Sequence, residues 1–187
     1  SAPVTSTVIS VLMNQNRTIQ ANFTPSDLHY SVTAIVEPIG GGSIQITDPQ
    51  PAGGYQVNTS VTVRAVERTG YAFARWTGDL AGTENPRTIL VSENKAIAAI
   101  FNPTVTIYCS PSEGGSYVVE PESSDGYAAG TDVTITAKAA KGHRFAAWDG
   151  DGSISKKSVT IFVDAPMTVT ARFAEQSSRW WLWLIVA

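Results

Sequence analysis

The sequence predicts an all-β protein built of tandem small β-rich modules, about 72 residues each. Three observations carry that prediction. Apolar and polar residues alternate with a period of two in short runs rich in Val, Ile and Thr, such as "VTVRA", "VTITA", "TILV", "TIFV" and "VTARF", which is the pattern of half-buried strands. Turn-forming clusters separate these runs, and no stretch carries a capped helical pattern. The same string is also written twice, as "GYAFARWTGD" from Gly70 to Asp79 and "GHRFAAWDGD" from Gly142 to Asp151.

The repeat extends far beyond those ten letters. Tyr55, Val61, Val63, Ala65, Gly70, Phe73, Trp76, Ile89, Val91, Ala99 and Phe101 recur as Tyr127, Val133, Ile135, Ala137, Gly142, Phe145, Trp148, Ile161, Val163, Ala171 and Phe173, always 72 residues on. Upstream, Val32, Pro38 and Gly42-Ser43 match Val105, Pro111 and Gly115-Ser116 with one extra residue, so an indel lies before Tyr55. A repeat of this period is the signature of a module that is used more than once.

The elements follow in order. Residues 1–25 hold a partial copy, its terminal hairpin alone, in which Ile19, Ala21 and Phe23 echo Ile97, Ala99 and Phe101. This hairpin either belongs to a longer tandem array or completes a fold elsewhere by adding strands to a neighbouring subunit. Residues 26–103 form the first complete β-repeat and 104–175 the second. Within each repeat, "IGGGS" or "EGGS" turns the first strand into the second, "PAGG" or "SSDG" precedes the tyrosine, and "ENK" or "DAPM" joins the last two strands. Asn102-Pro103 is the whole linker, and the fixed φ of proline predicts a semi-rigid joint. Residues 176–187 are a polar linker and the start of a hydrophobic C-terminal anchor.

A small module needs large residues for its core. Tyr55, Phe73, Trp76 and Phe101, with Tyr127, Phe145, Trp148 and Phe173, are the expected core, and Gly78-Asp79 and Gly150-Asp151 the expected turns, each Asp bonding back to nearby amides. The competing reading of the tryptophans as sugar platforms requires them to be exposed. "DGDG" at 149–152 resembles the opening of a calcium loop, but the twelfth position counted from Asp149 is Thr160 instead of a bidentate acid, and the first repeat reads "TGDL" there.

Composition narrows the function classes. An apolar content of 43% with 16% charged residues is that of a folded, soluble chain. The net charge of -3, with Lys and Arg scattered, supplies no field for nucleic acid. The single cysteine, Cys109, shares a strand face with Val105 and Ile107 and stands where the first repeat has Val36, so it reads as a small buried hydrophobe. Neither histidine, His29 or His143, holds a position that the module requires. Asp79 and Asp151 occupy equivalent places in successive modules, too far apart for a two-carboxylate site. With no phosphate loop, serine elbow or zinc-protease motif, the chain reads as neither an enzyme nor a cofactor or metal protein.

The string of Tyr, then Gly-Thr before Val-Thr, then Gly-aromatic-x-Phe-x-x-Trp-x-Gly-Asp, then Thr-Ala-x-Phe resembles the divergent internalin-B-type B-repeat, a bacterial module of secreted and surface-attached proteins, with Ala98 standing before Ala99 in place of the Thr. The resemblance covers about 170 of the 187 residues. Asn58 departs from it by standing in the usual Gly place, which Asn tolerates because it enters left-handed backbone conformations. The resemblance implies a small β-rich module related to β-grasp folds, with a sandwich-like module as the alternative for strands of this pattern, no catalytic residues, and service as a stalk, spacer or adhesive segment.

The C-terminus points the same way. In "SSRWWLWLIVA", Arg179 leads into Trp180, Trp181 and Trp183 and an unbroken apolar run. Eight apolar residues are too few to span a bilayer, but Arg followed by Trp suits a membrane interface. The expected location is extracellular, at the cell surface and anchored in the membrane; a docking peptide is the alternative. Asn16, Asn22 and Asn58 begin glycosylation-type triplets that a Thr-rich chain also produces by chance. Ala96, Ala98 and Ile100 form an apolar strip, where the last repeat has Thr168, Thr170 and Arg172, and it suits contact with a neighbouring copy or another surface protein. Two readings of function follow: a passive stalk, spacer or fibre, or an adhesin that recognises glycan or protein through loops.

Overall fold

Alternation of buried and exposed side chains is the organising feature of the chain. In Thr59–Glu67, Val61, Val63 and Ala65 are buried while Ser60 and Arg64 face solvent, so the strand has one core face and one wet face. The computed structural model describes residues 10, 12, 14–16, 18, 28–150 and 156–176. The initial partial hairpin, Asp151 and the run containing Arg179, Trp180, Trp181 and Trp183 lie outside the described residues, apart from isolated positions of the hairpin.

The first repeat contains β1 (His29–Tyr30), β2 (Val32–Glu37), β3 (Gly42–Ile46), β4 (Tyr55–Gln56), β5 (Thr59–Glu67), β6 (Tyr71–Gly78), β7 (Arg87–Val91) and β8 (Lys95–Pro103). The second contains β9 (Val105–Ser110), β10 (Gly115–Glu120), β11 (Thr131–Ala139), β12 (His143–Gly150), β13 (Ser158–Val163) and β14 (Met167–Glu175). Two three-stranded sheets make up each repeat: β2-β8-β6 and β3-β5-β7 in the first, β9-β14-β12 and β10-β11-β13 in the second. The sheets face one another across a single core, so of the two expected architectures the sandwich-like one describes the arrangement. Among the described residues, the small β1-β4 pair gives the first repeat two more strands than the second.

In both repeats the last strand is central to its sheet. β8 pairs antiparallel with β6 and parallel with β2. β14 pairs antiparallel with β12 and parallel with β9. β2 and β8 of the first repeat, and β9 and β14 of the second, therefore run side by side in the same direction.

The joint between repeats is a continuation of β8 and not a free linker. The Tyr127 N–H donates to the Pro103 carbonyl at 3.0 Å, the Asn102 side-chain amide donates to the Asp125 carbonyl at 3.1 Å, and the Thr104 N–H returns to the Gly70 carbonyl at 2.8 Å. Gly70 has a φ of +88° and faces the Pro166 ring so closely that a Cβ would overlap it. Tyr30 opposite Tyr55 is the matching contact at the start of the first repeat. The end of β8 thus does for the second repeat what β1 does for the first.

Candidate functional site

The repeated decamer builds its geometry from a spacing that suits no regular strand. Phe73 and Trp76 are three residues apart, and on an unbroken strand they would point to opposite faces. A bulge between Phe73 and Arg75 shifts the register against β8, and the same shift occurs between Phe145 and Ala147 against β14. One extra residue turns both aromatics toward the core. The Phe73 and Trp76 ring centroids lie 5.3 Å apart and those of Phe145 and Trp148 5.4 Å, with Phe101 and Phe173 edge-on to the phenylalanines at 5.9 and 6.1 Å.

Burial decides the status of these rings. Trp76 and Trp148 are 1% and 0% exposed, so neither is a platform for a sugar. Tyr55, Phe101, Tyr127, Phe145 and Phe173 are buried, and Phe73 is half-buried at the edge of the same cluster. Each tyrosine keeps its hydroxyl bonded to a loop carbonyl, Tyr55 to Asp48 at 2.6 Å and Tyr127 to Pro121 at 3.1 Å. Burial, and then the nearby Asp48 or Glu122 carboxylate, pushes both phenols above their ordinary value.

The loop after Trp76 closes over it. The Trp76 indole N–H donates to the Glu84 carbonyl at 3.0 Å, its backbone N–H donates to the Gly82 carbonyl at 2.7 Å, and Leu80 is buried beneath. The Asn85 side chain takes the place of a missing strand neighbour, bonding the N–H and C=O of Ala65 at 2.9 and 2.8 Å. In the second repeat the Lys157 backbone carbonyl receives the equivalent Ala137 N–H, while the Trp148 indole N–H is buried with no acceptor among the described residues. Nothing in the sequence marks Leu80 or Asn85: "DLAGTENP" offers one large apolar residue without periodicity, and an amide acting as backbone leaves no pattern.

Gly78 and Gly150 end β6 and β12. Gly78 has a φ of +82°, and a Cβ there would collide with the Ala96 carbonyl. Asp79 does not cap its own turn as expected. Its carboxylate accepts the Ala96 N–H at 2.7 Å and its N–H donates to the Ala96 carbonyl at 2.8 Å, pinning the end of β6 to the start of β8. Asn58 has a φ of +67° and Gly130, its counterpart, +89°.

The surface differs between the repeats. Ala96 is exposed, Ile100 half-buried and Ala98 buried, so the three do not form a continuous open strip; β8 is flanked on both sides, and neighbouring side chains screen its middle. On the matching strand β14, Arg172 instead pairs with Asp149 of β12. Large apolar side chains stand exposed at equivalent places, Ile35 with Tyr108 and Leu90 with Phe162. His29 lines an open depression of about 430 Å³ with Asp48, Tyr55 and Thr59. His143 turns its Nδ1 inward, buried and without a partner among the described residues. Cys109 packs against the second core with Val105 and Ile107, and burial pushes its thiol up. The Lys95 ammonium donates to the Glu93 carboxylate at 2.7 Å, and that bond holds it above its ordinary value. Among the described residues, no cluster of His, Cys, Asp and Glu is placed to hold a metal ion, and no helix is long and apolar enough to cross a membrane.

A family model, the divergent InlB B-repeat domain, matches residues 30–105 and again 104–177. The chain belongs to that family. No curated protein and no solved structure was found to match it. The two B-repeats meet at Thr104, between the end of β8 and the start of β9, so Asn102 and Pro103 belong to a strand and are not the linker expected from the sequence; the family is one of non-catalytic surface repeat modules. Bulge, aromatic trio and glycine-aspartate turn are thus internal architecture of the B-repeat.

Proposed function

We propose that this chain is a non-catalytic spacer of the bacterial cell surface, a stalk or fibre segment that sets a distance between what lies on either side of it. The observation that carries this reading is the joint. Two repeats are connected through one residue, Thr104, between strands, with hydrogen bonds from Tyr127, Asn102 and Thr104 tying the modules together. Such a joint restricts angle, whereas a flexible linker of Gly and Ser does not. The membrane-interface character of Arg179, Trp180, Trp181 and Trp183 supports anchoring at the C-terminus.

Small-angle scattering tests the spacer reading. The natural chain is expected to give one extended maximum dimension, and insertion of several Gly-Ser residues after Pro103 should broaden the distance distribution. If the insertion changes nothing, the repeats already move independently and the spacer reading falls. The anchor is tested separately by membrane fractionation of cells expressing the chain with Trp180, Trp181 and Trp183 replaced by serine; unchanged retention removes it. A binding role draws on the exposed Tyr108 and Phe162, and saturable glycan binding lost in their alanine variants would favour it.

A further inference from the structure

The parallel pairing of β2 with β8, and of β9 with β14, has a mechanical meaning. In the first repeat the chain comes in at the Val32 end of β2 and leaves at the Pro103 end of β8, and Val32 lies opposite Lys95, the first residue of β8. Tension between the two ends therefore draws β2 and β8 past one another along their own axes. The Lys95 N–H donates to the Ser31 carbonyl at 2.8 Å, and the alternation of a parallel ladder then turns the backbone groups of Thr33, Ile35 and Glu37 toward β8. All of these bonds share the load at once. Had the terminal strands been antiparallel, the ends would leave from the same edge and the ladder would open one bond at a time.

The second repeat has the same geometry. Val105 lies opposite Met167, whose N–H donates to the Thr104 carbonyl at 3.1 Å, and the register runs to Ser110 opposite Arg172. Only Thr104 separates the end of β8 from the start of β9. Tension leaving one ladder enters the next with almost no slack between them.

We infer that each repeat is a shear clamp, the β2-β8 and β9-β14 ladders acting in series to resist tension along the chain. Resistance to forced unfolding is set by the unfolding barrier and not by equilibrium stability. The inference rests on the spacer reading for its biological use, but its physics is independent of it.

Single-molecule force spectroscopy on the full chain tests it, in a Cys109→Val background, since Val36 fills the equivalent place in the first repeat. One preparation is held by its two ends. The other is held at its C-terminal end and at Ile39→Cys, a position 99% exposed in the turn after β2; the first repeat is then pulled from the same end of both β2 and β8 and must peel, while the second is still sheared. End-to-end pulling should give two unfolding events at similar high force. Pulling from residue 39 should drop one event several-fold and leave the other unchanged, with the released length, about 3.5 Å per residue, identifying the first repeat as the weak one. Equal forces for the first repeat in both geometries would overturn the clamp and leave the spacer reading untouched. Conversely, a clamp seen in chains whose scattering shows freely moving repeats would remove the spacer and keep the clamp.

Discussion

Replacing Trp148 with alanine is the sharpest test of the core. The side chain is fully buried, and a large aromatic removes some 150–250 Å² from water. At about 25 cal/mol per Å² that is roughly 4–6 kcal/mol as an upper bound, close to the roughly 3–5 kcal/mol typical of Trp→Ala in cores. A domain of this size has little more than about 5 kcal/mol to lose, so the second repeat should be largely unfolded. Trp76→Ala in the first repeat should cost about 1 kcal/mol more, because it also strands the Glu84 carbonyl that accepts the indole N–H at 3.0 Å. Hydrogen exchange resolved by strand is the assay. Trp148→Ala should strip protection from β11 and β14 while β5 keeps its own. Retained protection in β11, or a loss below about 1 kcal/mol, would refute the claim that this ring holds the sandwich together.

Other outcomes follow from the same structure. Asp79→Ala removes the carboxylate that accepts the Ala96 N–H and should cost about 1.5–3 kcal/mol, seen as a lower urea midpoint and faster exchange at the start of β8. Gly115→Ala places a methyl group into the Phe173 ring and the Lys138 carbonyl; overpacking of about 1–3 kcal/mol is expected, with no part of it from φ, because 169° is extended backbone. Cys109 should react with iodoacetamide more slowly than a free thiol at pH 8, since burial raises its pKa, and an equal rate would contradict its packing. Tyr55 and Tyr127 are also raised by burial, so their contribution to stability is intact below the unfolded-state value of about 10 and is lost as pH rises from there through the folded values. A melting temperature that holds steady well above pH 10 would count against that burial.

Much of the fold was legible because the repeat supplied an internal comparison. Val61, Val63 and Ala65 against Val133, Ile135 and Ala137 marked the same inward face twice, and Asn58 opposite Gly130 marked a backbone position of positive φ. What stayed hidden is what pattern does not encode. A bulge is invisible to a period-two reading, so the Phe-x-x-Trp spacing looked like a motif when it was a register shift. Pairing order is set by how sheets pack and not by local propensity, so nothing in "SVTAIVE" announced a parallel partner sixty residues away. The sequence points to a local turn at Asp79, because short side chains usually bond nearby, yet its partner is Ala96.

The bulge, the turn and the joint all act on one strand. β8 carries Phe101 against the bulged aromatics, receives the Asp79 clasp at Ala96, lies in the middle of its sheet between β2 and β6, and ends by accepting the Tyr127 N–H of the next repeat at Pro103. Its inward face, Ile97, Ala99 and Phe101, is nearly fully buried, so its position cannot shift without opening the core. A module whose exit strand is also its central strand passes its orientation directly to its neighbour. The string that repeats every 72 residues is then the set of contacts that hold this one strand straight, while exposed positions such as Ile35 and Tyr108 or Leu90 and Phe162 are left to vary.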